Sequence, residues 1–135
     1  MIVLDASVTL AWIHEDERTP AIRAIAERAA KEGCFVPSIW SSEVANSLLM
    51  AMRRKRMSQA GLDETLASLR RMPIKFDHTG HELVWRLVLP LATKNNLTVY
   101  DATYFELAIR KGLPLATTDG ALADAARAEN VPVLP

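Results

Sequence analysis

Short runs of strand-forming residues recur along this chain at wide intervals: IVL at 2–4, CFV at 34–36, IKF at 74–76, PLAT at 114–117 and PVL at 132–134. The segments between them carry helical spacing. Strands separated by whole helices cannot pair as tight hairpins, so they lie side by side while each helix crosses back over the sheet. The expectation is an α/β fold of three layers, with a central, mostly parallel five-stranded sheet flanked by helices. The chain has 135 residues, half of them hydrophobic, which suits one domain with a substantial core. Residues 1–135 are read as that single domain.

Helix boundaries are written in the same residues. Thr19 with Pro20 at the first helical position, Ser58 before QAGLDETLASL, and Thr79 with Glu82 three residues on all predict helix starts. Ile39, Trp40, Val44, Leu48, Ala51 and Met52 share one face of a helix predicted over 39–56, with Glu43 in its first turns. Gly112 is placed as a helix C-terminal cap, and ALADAARAEN at 121–130 is a strong helix former before the last strand.

Four acids stand where strands give way to helices or near a helix start: Asp5 in IVLDAS, Glu43 in SSEVAN, Asp101 in VYDATY and Asp119 in TTDGAL. In an open parallel sheet, ligands bind outside the carboxyl ends of the strands, so Asp5 and Asp119 should share that edge. Taken singly, Asp101 and Asp119 suit helix N-caps, Asp5 could cap the first helix, and Glu43 could be a solvated helix residue. Taken together, clustered carboxylates raise one another's pKa and cost stability unless protons or a cation compensate them. Magnesium or manganese prefers such all-oxygen surroundings.

The motifs MIVLDASV, SSEVANSLL, VYDATYFELA and LATTDGAL, in this order and followed by a closing VPVL, resemble the PIN-domain ribonucleases, and among them the VapC toxins of prokaryotic toxin–antitoxin pairs. The resemblance runs nearly end to end and implies a PIN-like, Rossmann-like domain. It places the catalytic and metal-holding acids at Asp5, Glu43, Asp101 and Asp119, with Asp5 and Asp101 as direct ligands of Mg2+ or Mn2+. Ser7 and Thr118 fall where small hydroxyl residues support such sites, and Asn46 lies one turn from Glu43. The implied activity is metal-dependent endoribonuclease cleavage leaving a 5′-phosphate and a 3′-hydroxyl, as the toxin of a type II system. The implied partners are the RNA substrate, a cognate VapB-type antitoxin and a second copy of the chain as a homodimer.

Lysine and arginine balance aspartate and glutamate at 16 each, so any nucleic-acid contact must come from local patches. The densest is Arg53, Arg54, Lys55 and Arg56, which would hold phosphates or form a solvated helix end. Cys34 is the one cysteine and reads as a buried thiol. His14, His78 and His81 lack zinc spacing. Trp12, Trp40 and Trp85 suit core packing or a protein interface, Tyr104 suits packing, and Asp124 reads as solvated. MIVLD carries no basic leader, and the longest apolar stretch, at 83–92, contains Arg86 and Pro90 and falls short of a membrane span. The expected location is cytoplasmic, without membrane insertion.

Other classes compete. A haloacid-dehalogenase-type phosphatase needs a second aspartate two residues after the first, where this chain has Ser7. Glycine-rich phosphate loops are absent. A PIN nuclease of RNA processing, or a catalytically silent PIN-like binding module, remains as the alternative, since fold alone does not fix function.

Overall fold

A computed structural model describes residues 1–78 and 80–135, so the predicted Thr79 capping box lies outside the described residues. Five parallel strands form one sheet: β1 (Ile2–Leu4), β2 (Cys34–Pro37), β3 (Ile74–Asp77), β4 (Leu115–Ala116) and β5 (Val133–Leu134), in the order β3-β2-β1-β4-β5. Register is set by pairs such as Ile2 with Cys34, Val3 with Leu115 and Ala116 with Leu134.

The helices are α1 (Ala6–Ile13), α2 (Pro20–Glu32), α3 (Ile39–Arg53), α4 (Gln59–Arg71), α5 (His81–Leu83), α6 (Leu89–Asn95), α7 (Val99–Lys111) and α8 (Gly120–Ala128). A short 3-10 turn, Glu15–Glu17, separates α1 from α2. The crossovers from β1 to β2 and from β2 to β3 run one way across the sheet, and those from β3 to β4 and β4 to β5 run the other way. Right-handed connection therefore puts α1 to α4 on one face and α5 to α8 on the opposite face. Packing agrees, since α1 touches α2 and α3, while α7 lies across β1, β2 and β4 and touches α6 and α8.

The predicted starts of α2 and α4 are both present. Thr19 Oγ1 accepts from the Ile22 amide at 3.2 Å, and Ser58 Oγ accepts from the Gly61 amide at 3.0 Å. Gly112 ends α7 in the left-handed region at φ 62°, which glycine adopts without a Cβ clash. Helix α3 is shorter than its sequence pattern, because Arg54 is its C-cap and Lys55 turns to φ 57°. Between α5 and α6 lies a π-helical turn, Val84–Val88. Pro90 has no amide hydrogen for the Arg86 carbonyl, a sufficient reason for the turn before it to widen.

Tyr104, Phe105 and Leu107 of α7 are wholly or almost wholly buried, as are Val3 of β1 on that helix's side of the sheet and Val36 of β2 on the opposite side. Each large apolar side chain so buried contributes about 1.5–3 kcal/mol. Cys34 is buried as expected, and desolvation pushes its thiol pKa up to about 11. Trp40 is buried and donates from Nε1 to Thr9 Oγ1 at 3.1 Å, but Trp85 is 62% exposed and belongs to no core. At the far end of α7, Arg110 grips both oxygens of Asp77 on β3, at 3.1 and 2.7 Å, and also bonds Glu106. No helix among the described residues is long and apolar enough to cross a membrane.

Candidate functional site

The direction of travel across the sheet reverses between β1 and β4, and in open parallel sheets ligands bind outside the carboxyl ends of the strands at such a point. Asp5 follows β1 directly, and Thr117, Thr118 and Asp119 follow β4. Parallel pairing of the two strands thus joins residues that are more than a hundred positions apart.

Asp5 occupies the N-cap position of α1, yet its side chain caps nothing. Instead Oδ2 accepts from Ser7 Oγ at 2.6 Å and from Thr117 Oγ1 at 2.7 Å. The residue is only 5% exposed, and this burial pushes its pKa above the usual carboxylate range. The two hydroxyls and the Ser7 and Ala6 amides pull part of the way back. Ser7 Oγ in turn accepts from the Thr118 amide at 3.0 Å, and Thr117 Oγ1 from the Asp119 amide at 3.0 Å. The loop after β4 is thereby stitched to the start of α1.

Asp119 is the N-cap of α8, with Oδ1 accepting from the Leu122 amide at 2.8 Å. Asp101 is not a cap. That position belongs to Thr98, whose Oγ1 accepts from the Asp101 amide at 3.1 Å, leaving Asp101 in the first turn of α7, where the Thr98 hydroxyl is the one influence that lowers its pKa. Partial burial raises the Asp101 pKa first, and the charges of Asp119 and Asp5 raise it further. Glu43, the fifth residue of α3, is half-buried rather than solvated. Desolvation raises its pKa, the Tyr104 hydroxyl that donates to Oε2 lowers it, and the charges of Asp5 and Asp101 raise it again.

Charge thus links Glu43 to Asp5 and Asp101, and Asp101 to Asp5 and Asp119, across four separate elements. Among the described residues no three His, Cys, Asp or Glu side chains converge closely enough to enclose an ion as they stand. What the fold provides is a shared acidic field with three anchored carboxylates, Asp5, Glu43 and Asp119, rather than a finished cage.

The other candidates divide. Ser7 is bonded to Asp5, whereas Thr118 is exposed and contributes its backbone amide only. The side-chain role expected of Thr118 falls to Thr117, 3% exposed, because the chain leaves β4 with residue 117 turned into the protein. Asn46 is exposed and makes no side-chain hydrogen bond among the described residues. Arg53, Arg54, Lys55 and Arg56 are exposed at the opposite end of α3, about 15 Å from Glu43 along the axis at ~1.5 Å per residue. There Arg56 lines a cleft of about 460 Å³ with Trp12, Arg18 and Glu64. Asp124 is exposed and pairs with Arg127 at 3.5 Å.

Two contributors escape a reading by composition. Thr117 looks equivalent to Thr118 in a TTDG string flanked by apolar residues. Tyr104 stands three residues after Asp101, and that helical spacing was the available sign that the two share a side of α7. Burial and its bond to Glu43 hold the proton firmly on the Tyr104 oxygen, so the phenol acts as a donor.

A family model described as PIN domain matches residues 2–128. Ribonuclease VapC3 of Mycobacterium tuberculosis is 33% identical over 125 residues, covering 92% of this chain and 86% of its own. VapC ribonuclease Mb0985 of Mycobacterium bovis is 30% identical over 131 residues, covering 96% and 94%. Among solved structures, PAE2754 from Pyrobaculum aerophilum superposes with a TM-score of 0.71 at 24% identity, covering 92% of this chain and 83% of that one. FitAcB from Neisseria gonorrhoeae gives 0.62 at 17% identity over 100% and 97%. These two similarities concern the fold.

Proposed function

The chain belongs to the PIN-domain family and is of the VapC ribonuclease type, and from that premise we propose that it is a metal-dependent endoribonuclease acting as the toxin of a type II toxin–antitoxin pair. The observation that carries the reading is the placement of Asp5, Glu43, Asp101 and Asp119 around the carboxyl edge of the sheet, where burial raises the pKa of Asp5, Glu43 and Asp101 and neighbouring carboxylates raise those of Glu43 and Asp101 further. A divalent cation relieves that repulsion.

The donor set fits Mg2+ or Mn2+: every candidate ligand is a carboxylate oxygen. Mg2+ commonly takes one or two protein carboxylates and keeps several waters, which suits a site that is not a closed cage; by the family resemblance the direct contacts would be Asp5 and Asp101. When bound, the ion polarises the scissile phosphate and lowers the pKa of a nearby water. Asp5, immobilised by Ser7 and Thr117, fixes the position of the site. Glu43, with Oε2 engaged by Tyr104, keeps Oε1 for accepting a proton from the attacking water. Asp119 adds negative charge while holding the start of α8. The products carry a 5′-phosphate and a 3′-hydroxyl, and the substrate's 2′-hydroxyl takes no part as nucleophile.

Arg53, Arg54, Lys55 and Arg56 supply phosphate contacts some distance from the acids, along a single-stranded RNA. A VapB-type antitoxin silences the site by inserting a C-terminal segment into the acidic crevice. Self-association through helices makes use of exposed apolar side chains such as Trp85, Leu89 and Ile109. The working compartment is the cytoplasm, where RNA and antitoxin are both present.

The test is incubation of purified, partner-free protein with total cellular RNA in Mg2+ or Mn2+, then with chelator, alongside Asp101→Asn. Cleavage that needs metal and vanishes in the folded variant supports the reading. If no RNA is cut in either metal, and neither metal raises the melting temperature, the chain is a binding module instead.

A further inference from the structure

The bond from Tyr104 to Glu43 reaches from α7 on one face of the sheet to α3 on the other, joining residues 61 apart in sequence. Tyr104 is completely buried, and the backbone amide of Ala6, next to Asp5, acts on the same phenolic oxygen. One hydroxyl therefore sits among the three elements that present Asp5, Glu43 and Asp101. A purely packing position at this depth would accept phenylalanine, as the neighbouring position 105 does. A buried phenol needs a hydrogen-bond partner, and the one it finds here is a carboxylate of the acidic cluster.

Glutamate is flexible, and the charges of Asp5 and Asp101 disfavour an ionised Glu43 beside them. A donor on Oε2 counters both tendencies. Two other acids are held in the same manner. Asp5 has Oδ2 taken by two hydroxyls, and Asp119 has Oδ1 taken by the Leu122 amide. In all three, at least one carboxylate oxygen is fixed by a donor within the fold, an arrangement that aims carboxylates before any ligand arrives.

We propose that Tyr104 is a positioning residue of this site: its hydroxyl clamps the Glu43 carboxylate so that one glutamate oxygen stays within the acidic cluster. The inference rests on the nuclease reading above for its consequence in catalysis, but not for the clamp itself. Tyr104→Phe removes one oxygen atom and leaves the ring. Loss of such a supporting bond lowers metal affinity or turnover by about 10–100-fold. The expected pattern is a fall of that size in kcat with KM little changed, and a matching fall in Mn2+ affinity measured by calorimetry.

A double-mutant cycle separates clamping from general packing. In a Glu43→Ala background, which leaves the hydroxyl no side-chain acceptor at position 43, Tyr104→Phe should add less than about twofold to either loss. Equal losses in both backgrounds, or no loss beside wild-type Glu43, overturn the proposal. Should wild-type protein cut no RNA, the function reading fails while the Mn2+ arm still decides the clamp. A further measurement needs no change at position 104. The slowly exchanging hydroxyl proton of Tyr104 should be visible by NMR in metal-free wild type and lost in Glu43→Ala, and its persistence in that variant would refute the clamp.

Discussion

The Thr117 hydroxyl donates to Asp5 Oδ2 at 2.7 Å, linking residues 112 apart, and it does so at a buried position between two parallel strands. This bond turns the β1–β4 register into a fixed carboxylate. Thr117→Val keeps the side chain's shape and deletes the donor, so it should lower unfolding free energy by about 1–3 kcal/mol. Thr118→Val, at an exposed neighbour, should change it by less than about 0.5 kcal/mol. Denaturant melts of the two variants decide which threonine supports Asp5, and equal losses would remove Thr117 from that role.

Asp5, Glu43 and Asp101 all hold protons more tightly in the folded chain than ordinary carboxyls do. From about pH 4, where unfolded carboxyls ionise, up to the raised native values, the native state binds the extra protons. Stability from these groups therefore falls as pH rises through that window. In chelator, Asp101→Asn should melt higher than wild type at pH 8, with a smaller advantage at pH 5. Added Mn2+ should stabilise wild type more at pH 8 than at pH 5. A metal-free advantage of Asp101→Asn that does not grow with pH would contradict the shared acidic field.

Arg110 binds both oxygens of Asp77 and bridges to the buried Glu106, tying the end of α7 to β3. Arg110→Ala leaves two poorly solvated carboxylates without that guanidinium and should cost about 2–3 kcal/mol in a thermal or urea melt. A cost within about 0.5 kcal/mol would class the contact as an ordinary surface ion pair.

Replacing Arg53, Arg54 and Arg56 together by alanine should raise KM for single-stranded RNA with kcat unchanged. The slope of log affinity on log salt should flatten by about 0.7 for every phosphate that these side chains no longer neutralise. An unaltered salt slope would assign the run to the solvated end of α3.

The features that sequence revealed are those governed locally. Strand runs between helical patterns fixed the five-stranded α/β arrangement, and Thr19, Ser58 and Gly112 end helices where their side chains or backbone freedom require. Parallel pairing then carries Asp5 and Asp119 to one edge. What local reasoning missed depends on partners distant in the chain. Thr117 and Thr118 have the same chemistry until β4 assigns one of them inward, and Tyr104 looks like core until α3 presents Glu43 to it. Asp101 resembles an N-cap until Thr98 takes the position. The π turn before Pro90 and the early end of α3 are departures from a helical pattern that periodicity alone continues through.

If the four acids form one ion-dependent site for RNA hydrolysis, Mn2+ titrated into metal-free protein should bring on ion binding and single-turnover RNA cleavage with the same midpoint, and folded Asp101→Asn should lose both. Cleavage that persists in chelator, or Mn2+ binding that Asp101→Asn leaves unchanged, rules such a site out.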